Sequence, residues 1–216
     1  SNAPQAMRPT RLALLIPLLS TIGLTAAEPA GSAPTNNNEL LRIYQADQKD
    51  REAPIGYIDW KSVSPRDAAR RARVRQLIDR GEIRTGLDYE RAALVFQHGD
   101  TNDDILLAHV LAVTALGKVN REARWLAAAS LDRYLQRFGQ PQVFGTQLTN
   151  KDTSNREGWT MEPYNRSLLA PSLLKSNCVP DRRDQTERLD AIRSGVDPPD
   201  PKHPPCIDAP TGRARP

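Results

Sequence analysis

Residues 89–147 read YERAALVFQHGDTNDDILLAHVLAVTALGKVNREARWLAAASLDRYLQRFGQPQVFGTQ, and the fold is decided there. Apolar residues recur at helical spacing in three runs, each with its own punctuation. One run covers Asp88 to His98 and ends at Gly99. A second follows Asn102, from Asp103 to Leu116, and ends at Gly117. A third follows Asn120, from Arg121 to Phe138, and ends at Gly139 with Pro141 beyond. An Asx residue ahead of a helix satisfies free N–H groups of the first turn, and a glycine behind it closes the last turn. The loops are short, so neighbouring helices are expected to be antiparallel, as in an αα-hairpin. No second copy recurs at the period of about 33 to 45 residues typical of helical repeats, which argues for a small bundle rather than a solenoid.

Outward from this stretch the pattern stays helical on the N-terminal side. A helix is expected from Asn38 through Leu40, Leu41, Ile43, Tyr44 and Asp47 toward Arg51. PIGYIDWKSV then reads as an irregular segment. Ser64-Pro65-Arg66-Asp67 has the chemistry of a helix start: a serine cap, proline at the first position and an acid in the first turn. The helix it opens runs through Val74, Leu77 and Ile78 to Gly81. Its five arginines, Arg66, Arg70, Arg71, Arg73 and Arg75, read as a solvated outer face. On the C-terminal side, Val143–Leu148 and Gly158–Glu162 are short and β-prone, and predict a hairpin. Short helices are expected around Arg166–Lys175 and over Arg182–Ser194, followed by the proline-rich tail PPDPKHPPCIDAP. The expected fold class is therefore mainly α: a small antiparallel helical bundle with an αα-hairpin core, a short β-hairpin and an irregular C-terminal tail.

The ends of the chain have other meanings. Residues 1–6 read as an expression scar. Residues 7–27, MRPTRLALLIPLLSTIGLTAA, carry two arginines, an apolar run and a small-residue cleavage site, the three parts of a secretory signal peptide. The apolar run is shorter than the roughly 20 residues of a membrane-spanning helix. Residues 28–37 read as a linker, 38–180 as the helical domain, and 181–216 as a polar helix and proline-rich tail. The expected location is the periplasm or the exterior. In that oxidising setting the two cysteines, Cys178 and Cys206, are expected to form one disulfide. The charge of +4 comes from 30 basic and 26 acidic residues interspersed along the chain, which does not point to nucleic acid.

Three polar residues fall among the apolar ones: His98, His109 and Asp132. His109 shares a helical stripe with Ile105, Leu106, Val113 and Leu116. Asp132 shares one with Trp125, Ala128, Ala129 and Leu135. In an antiparallel hairpin the two side chains lean toward each other, which predicts a His109–Asp132 hydrogen bond with Arg133 and Gln147 nearby. A buried carboxylate and a buried imidazole both need partners. The structural reading is a polar pin that fixes how the helices pack. The functional reading adds His98 to make a His/His/Asp cluster that either binds a metal or lets one histidine act as a base oriented by Asp132. No G-x-S-x-G, no H-E-x-x-H and no cysteine accompanies the cluster, and no metal or cofactor is expected.

Taken together, Phe96-Gln97-His98-Gly99, Leu106-Leu107-Ala108-His109, Trp125 to Ala129, Asp132-Arg133 and Pro141-Gln142-x-Phe144-Gly145-Thr146-Gln147 resemble an uncharacterised bacterial family. It is a domain-of-unknown-function group with the pattern Q-H-G…LLAH…WLAA…DR…PQ-x-F-G-T-Q. The resemblance spans about residues 40 to 180 and implies one folded unit with added termini, but it carries no activity. Two function classes follow from the whole reading. The first is an exported non-catalytic binding protein whose partner is another protein, for instance an inhibitor or immunity-type protein. The alternative is a hydrolase-like or metal-dependent enzyme using His98, His109 and Asp132. The sequence leaves the oligomeric state open.

Overall fold

Thr85 and Thr101 set the start of the two central helices. Each accepts a hydrogen bond from the backbone N–H three residues on, of Asp88 and Asp104, whose side chains reach back to the threonine N–H. These capping boxes open α3 (Gly86–Gln97) and α4 (Asn102–Gly117). The caps therefore lie a residue or more ahead of the positions that the Asx residues alone suggested. The structure is a computed structural model, and it describes residues 33–52, 58–152 and 154–196. Within them stand also α1 (Asn38–Lys49), α2 (Trp60–Asp79), α5 (Ala123–Arg137), α6 (Pro171–Ser176) and α7 (Arg182–Arg193). The fold is mainly helical, and its one sheet among the described residues is a two-stranded antiparallel pair.

α4 packs between α3 and α5, while α1 and α2 close over α3. Two hydrogen-bonded corners fix the antiparallel course. Asn120, just past α4, donates to Gly86 O at the start of α3 (3.2 Å). Arg137, at the end of α5, donates to the Asp100 carbonyl just before α4 (2.7 Å). The core between them is made of Leu40, Val74, Leu77, Val95, Phe96, Ala108, Leu111, Ala112 and Leu126, all buried. Alanines line the α4 faces in contact, which lets the helix axes approach closely.

Four expectations need correction. The helix opened at Ser64-Pro65 in the sequence in fact begins at Trp60, and Pro65 lies inside it. A proline one turn in removes a single backbone bond, and buried Val63 anchors the extra turn. The inward stripe of α4 is Ile105, Ala108, Leu111, Ala112 and Ala115, whereas Leu106 and Val113 face outward. This helix is apolar almost all round, so periodicity could not fix its rotation. The expected segment Gly158–Glu162 contains β2 (Trp159–Thr160), but its partner is β1 (Thr149–Asn150) and not Val143–Leu148. The N–H groups of Val143, Phe144 and Thr146 point instead at the Asp132 carboxylate. Finally, the five arginines of α2 are engaged, not merely solvated: Arg66 and Arg70 on Asp50, Arg71 on Asp100, Arg73 on Glu39, and Arg75 over the Phe96 ring. The tail from residue 197, with Cys206, and the segments 1–32 and 53–57 lie outside the described residues. No helix among the described residues is long and apolar enough to cross a membrane.

Candidate functional site

Asp47 is the acid on the apolar face of α1, in register with Leu40, Ile43 and Tyr44, and it is completely buried. A buried carboxylate persists only when its oxygens are satisfied. Here His98 Nδ1 lies 3.0 Å from Oδ2 and 3.3 Å from Oδ1. Arg51 Nη1 donates to Oδ1 at 3.1 Å and Gln48 Nε2 to Oδ2 at 2.9 Å. Arg51 also reaches Asp67 at 2.5 Å, and Asp67 accepts from Arg70 at 2.8 Å. Alternating charges thus run from α1 to α2, with His98 at the inner end.

His98 caps the C-terminus of α3, where four backbone carbonyls lack partners inside the helix and the helix dipole is negative. Arginines from two other helices supply the donors. Arg133 Nη1 donates to Gln97 O (2.7 Å), Arg71 Nη1 to His98 O (3.2 Å), and Arg137 to Gly99 O (3.0 Å). Arg133 Nε also donates to Gln147 Oε1 at 2.9 Å. The expected neighbours Arg133 and Gln147 are therefore joined, with Arg133 on the carbonyl of Gln97, the residue before His98.

The electrostatics of this corner follow from burial. Desolvation holds the His98 imidazole below its ordinary pKa, and Arg51 and Arg133 push in the same direction against the pull of Asp47. The ring is thus neutral at pH 7. Because a carboxylate can only accept, the proton is assigned to Nδ1, and the Nε2 lone pair is left without a hydrogen-bond partner among the described residues. The side chain keeps 19% of its surface exposed, so part of it meets solvent. The Arg133 guanidinium is pushed down to about 10, first by burial and then by Arg137 and Arg51. Among the described residues it has no carboxylate partner.

The two other candidates stand elsewhere. His109 Nδ1 donates to Ala127 O at 3.0 Å, with Ser130 Oγ at 3.4 Å, and is not bonded to Asp132. The helices do pair as expected, but α4 is rotated so that His109 meets the α5 backbone. Asp132, completely buried, accepts from the N–H groups of Val143 (2.7 Å), Phe144 (3.0 Å) and Thr146 (3.0 Å) and from the Thr146 hydroxyl (2.8 Å). Its two oxygens are filled, so it organises the loop 142–147 and has no capacity left to orient a base. Gly145 in that loop has φ +77°, and a Cβ there would meet Gln185 Oε1 at 2.4 Å and the Tyr164 ring at 2.7 Å. Gln142 completes the loop, donating through Nε2 to Gln147 O (3.0 Å) and accepting from Gln147 N–H (3.0 Å).

The partner of His98 that sequence reading missed is Asp47. It was visible as an acid on an apolar stripe, but its pairing with a residue 51 positions away was not. No group of three or more His, Cys, Asp or Glu that could hold a metal occurs among the described residues. Compared with family models, with curated proteins and with solved structures, the chain matches none.

Proposed function

We propose that the end of α3 is an acid–base site for a small anionic ligand, and that the protein is an exported hydrolase-like enzyme working through His98 and Asp47. One observation carries this reading. A half-buried, neutral imidazole has one nitrogen fixed by a buried carboxylate and the other, among the described residues, free, beside a guanidinium with no carboxylate partner among them. Asp47 fixes the tautomer and would stabilise the imidazolium once His98 Nε2 has taken a proton. The donors of Arg133 that Gln147 and Gln97 do not take would hold a carboxylate or phosphate. The reading thus replaces His109 and Asp132 as site members by Asp47 and Arg133.

The test uses the imidazole nitrogens of His98 as reporters. Addition of phosphate or acetate to about 10 mM, a range in which weak specific sites fill, should shift the Nε2 resonance, and Arg133→Gln should abolish the shift. An unmoved Nε2 signal with both anions would end the proposal.

A second reading, a non-catalytic exported binding protein, has a different observation in its favour. A cavity of about 400 Å3 lies among Trp125, Leu148, Met161, Val179, Gln185 and Ala191, mainly apolar and within the range of small-ligand sites. The proposed Cys178–Cys206 disulfide belongs with this reading. Cys178 adjoins the cavity residue Val179, so the bond would hold the tail beside it. A thiol assay on unfolded, unreduced protein should detect none; two thiols would remove the disulfide.

A further inference from the structure

α4 carries more apolar surface than the bundle covers. Its outward stripe is Leu106, Val110 and Val113, exposed by 39%, 50% and 49%. The spacing of four and then three residues is that of a helix–helix seam. Four residues further, Gly117 continues the stripe, and nothing lies within 4 Å of where its Cβ would stand. The two ends of the stripe carry opposite charges. Asp103 is exposed at the N-terminal end and makes no ion pair among the described residues. Lys118 is exposed just past the C-terminal end, its ammonium 5.4 Å from the Tyr89 ring centre.

We propose that this face pairs with the same face of a second copy of the chain, the two α4 helices running antiparallel about a two-fold axis between Val110 and Val113. In that register Val110 of each copy meets Val113 of the other, and each Leu106 meets the bare backbone at Gly117. Asp103 comes within about 3 Å, two residues of rise, of the level of Lys118 in the other copy. A two-fold interface makes every contact twice, so a single stripe supplies two Leu–Gly contacts and two opposite-charge pairs. A parallel arrangement would instead set Asp103 against Asp103 and leave a gap between the two glycines. An anionic membrane surface fits less well, because helices that lie on one carry basic flanks, whereas this stripe begins at Asn102-Asp103-Asp104.

Three partly exposed side chains fall well short of the roughly 800 Å2 per partner of a standard interface, so the dimer is weak. Sedimentation velocity should show monomer near 10 μM and dimer approaching 1 mM, on the order of the weakest specific affinities. Val110→Glu should remove the dimer, with circular dichroism confirming that the helices remain. Asp103→Lys and Lys118→Asp should each weaken self-association by about tenfold, and the double exchange should restore it, because the opposite-charge pairs are re-formed with their signs reversed. Four results would overturn the proposal: monomer at every concentration, a dimer indifferent to Val110→Glu, singles that weaken without rescue by the double exchange, or a monomer that instead floats with anionic vesicles.

Discussion

Asp47 and Asp132 are both completely buried acids on inward helix faces, yet they do opposite work. Asp132 takes three backbone N–H groups and a hydroxyl, all from the loop that follows its own helix. Every donor is local and every lone pair engaged, so the group is a structural clamp. Asp47 takes side-chain donors from two elements, one of them an imidazole with a free second nitrogen. Its contacts can rearrange when a proton moves. A buried carboxylate is therefore read not from its burial but from whether its partners are backbone, which is fixed, or side chains that themselves titrate.

The comparison breaks first at Asp132. Asp132→Ala leaves three loop N–H groups without acceptors inside the protein, each costing about 1–3 kcal/mol where water cannot replace the acceptor. We expect a loss of roughly 3–5 kcal/mol in urea unfolding, and protease sensitivity confined to residues 141–147. A variant within about 0.5 kcal/mol of the parent, the range of ordinary surface changes, would mean that water fills the clamp. Asp47→Asn is shape-conserving but removes the charge facing Arg51, so the expected loss is smaller, about 2 kcal/mol. It also frees the tautomer of His98, which the ring nitrogen shifts would report. His98→Gln keeps a donor for Asp47 and should cost only about 1 kcal/mol, while the anion response, read for this variant as the rise of the thermal midpoint with phosphate, disappears. Loss of stability without loss of the anion response would assign His98 to the structure alone.

Much of this comparison was legible in the chain and some was not. Helix ends followed from glycines, because that signal acts within one turn, whereas α2 and α5 begin a few residues away from the caps expected at Ser64 and Asn120. The polar character of the inward faces was also readable, from Asp47 in the stripe of Leu40, Ile43 and Tyr44 and from Asp132 in that of Ala128 and Ala129. Which polar groups meet depends on helix rotation, and α4, apolar nearly all round, gives no period from which to read it. His109 therefore seemed to face Asp132. The loop 142–147 looked like a strand because valine and phenylalanine are good strand formers. Its N–H groups bond a carboxylate on α5 instead, a tertiary contact that outweighs intrinsic preference. The arginines of α2 looked solvated because their acids lie on α1 and on the α3–α4 turn.

The finest distinction lies in the response to pH of the histidine bound to Asp47. The His98 pKa is held below its ordinary 6.5 in the folded protein. The unfolded chain therefore takes the proton first, so this contribution to stability is intact above pH 6.5 and declines as the pH falls below it. Asp50, held at about 2 by Arg66 and Arg70 against an ordinary 3.8, acts in a lower window, its stabilisation fading only as the pH drops from 3.8 toward 2. The His98 window opens at the higher pH. Thermal melts between pH 7 and pH 5 should show a falling midpoint in the parent, a flatter one in His98→Gln, and the parent slope in Arg66→Ala. Arg66 is half exposed, so solvent screens its pair with Asp50 and the pair contributes little in any case. A His98→Gln melt that kept the full acid slope would place the titrating group elsewhere, and would leave Asp47 as closed a clamp as Asp132.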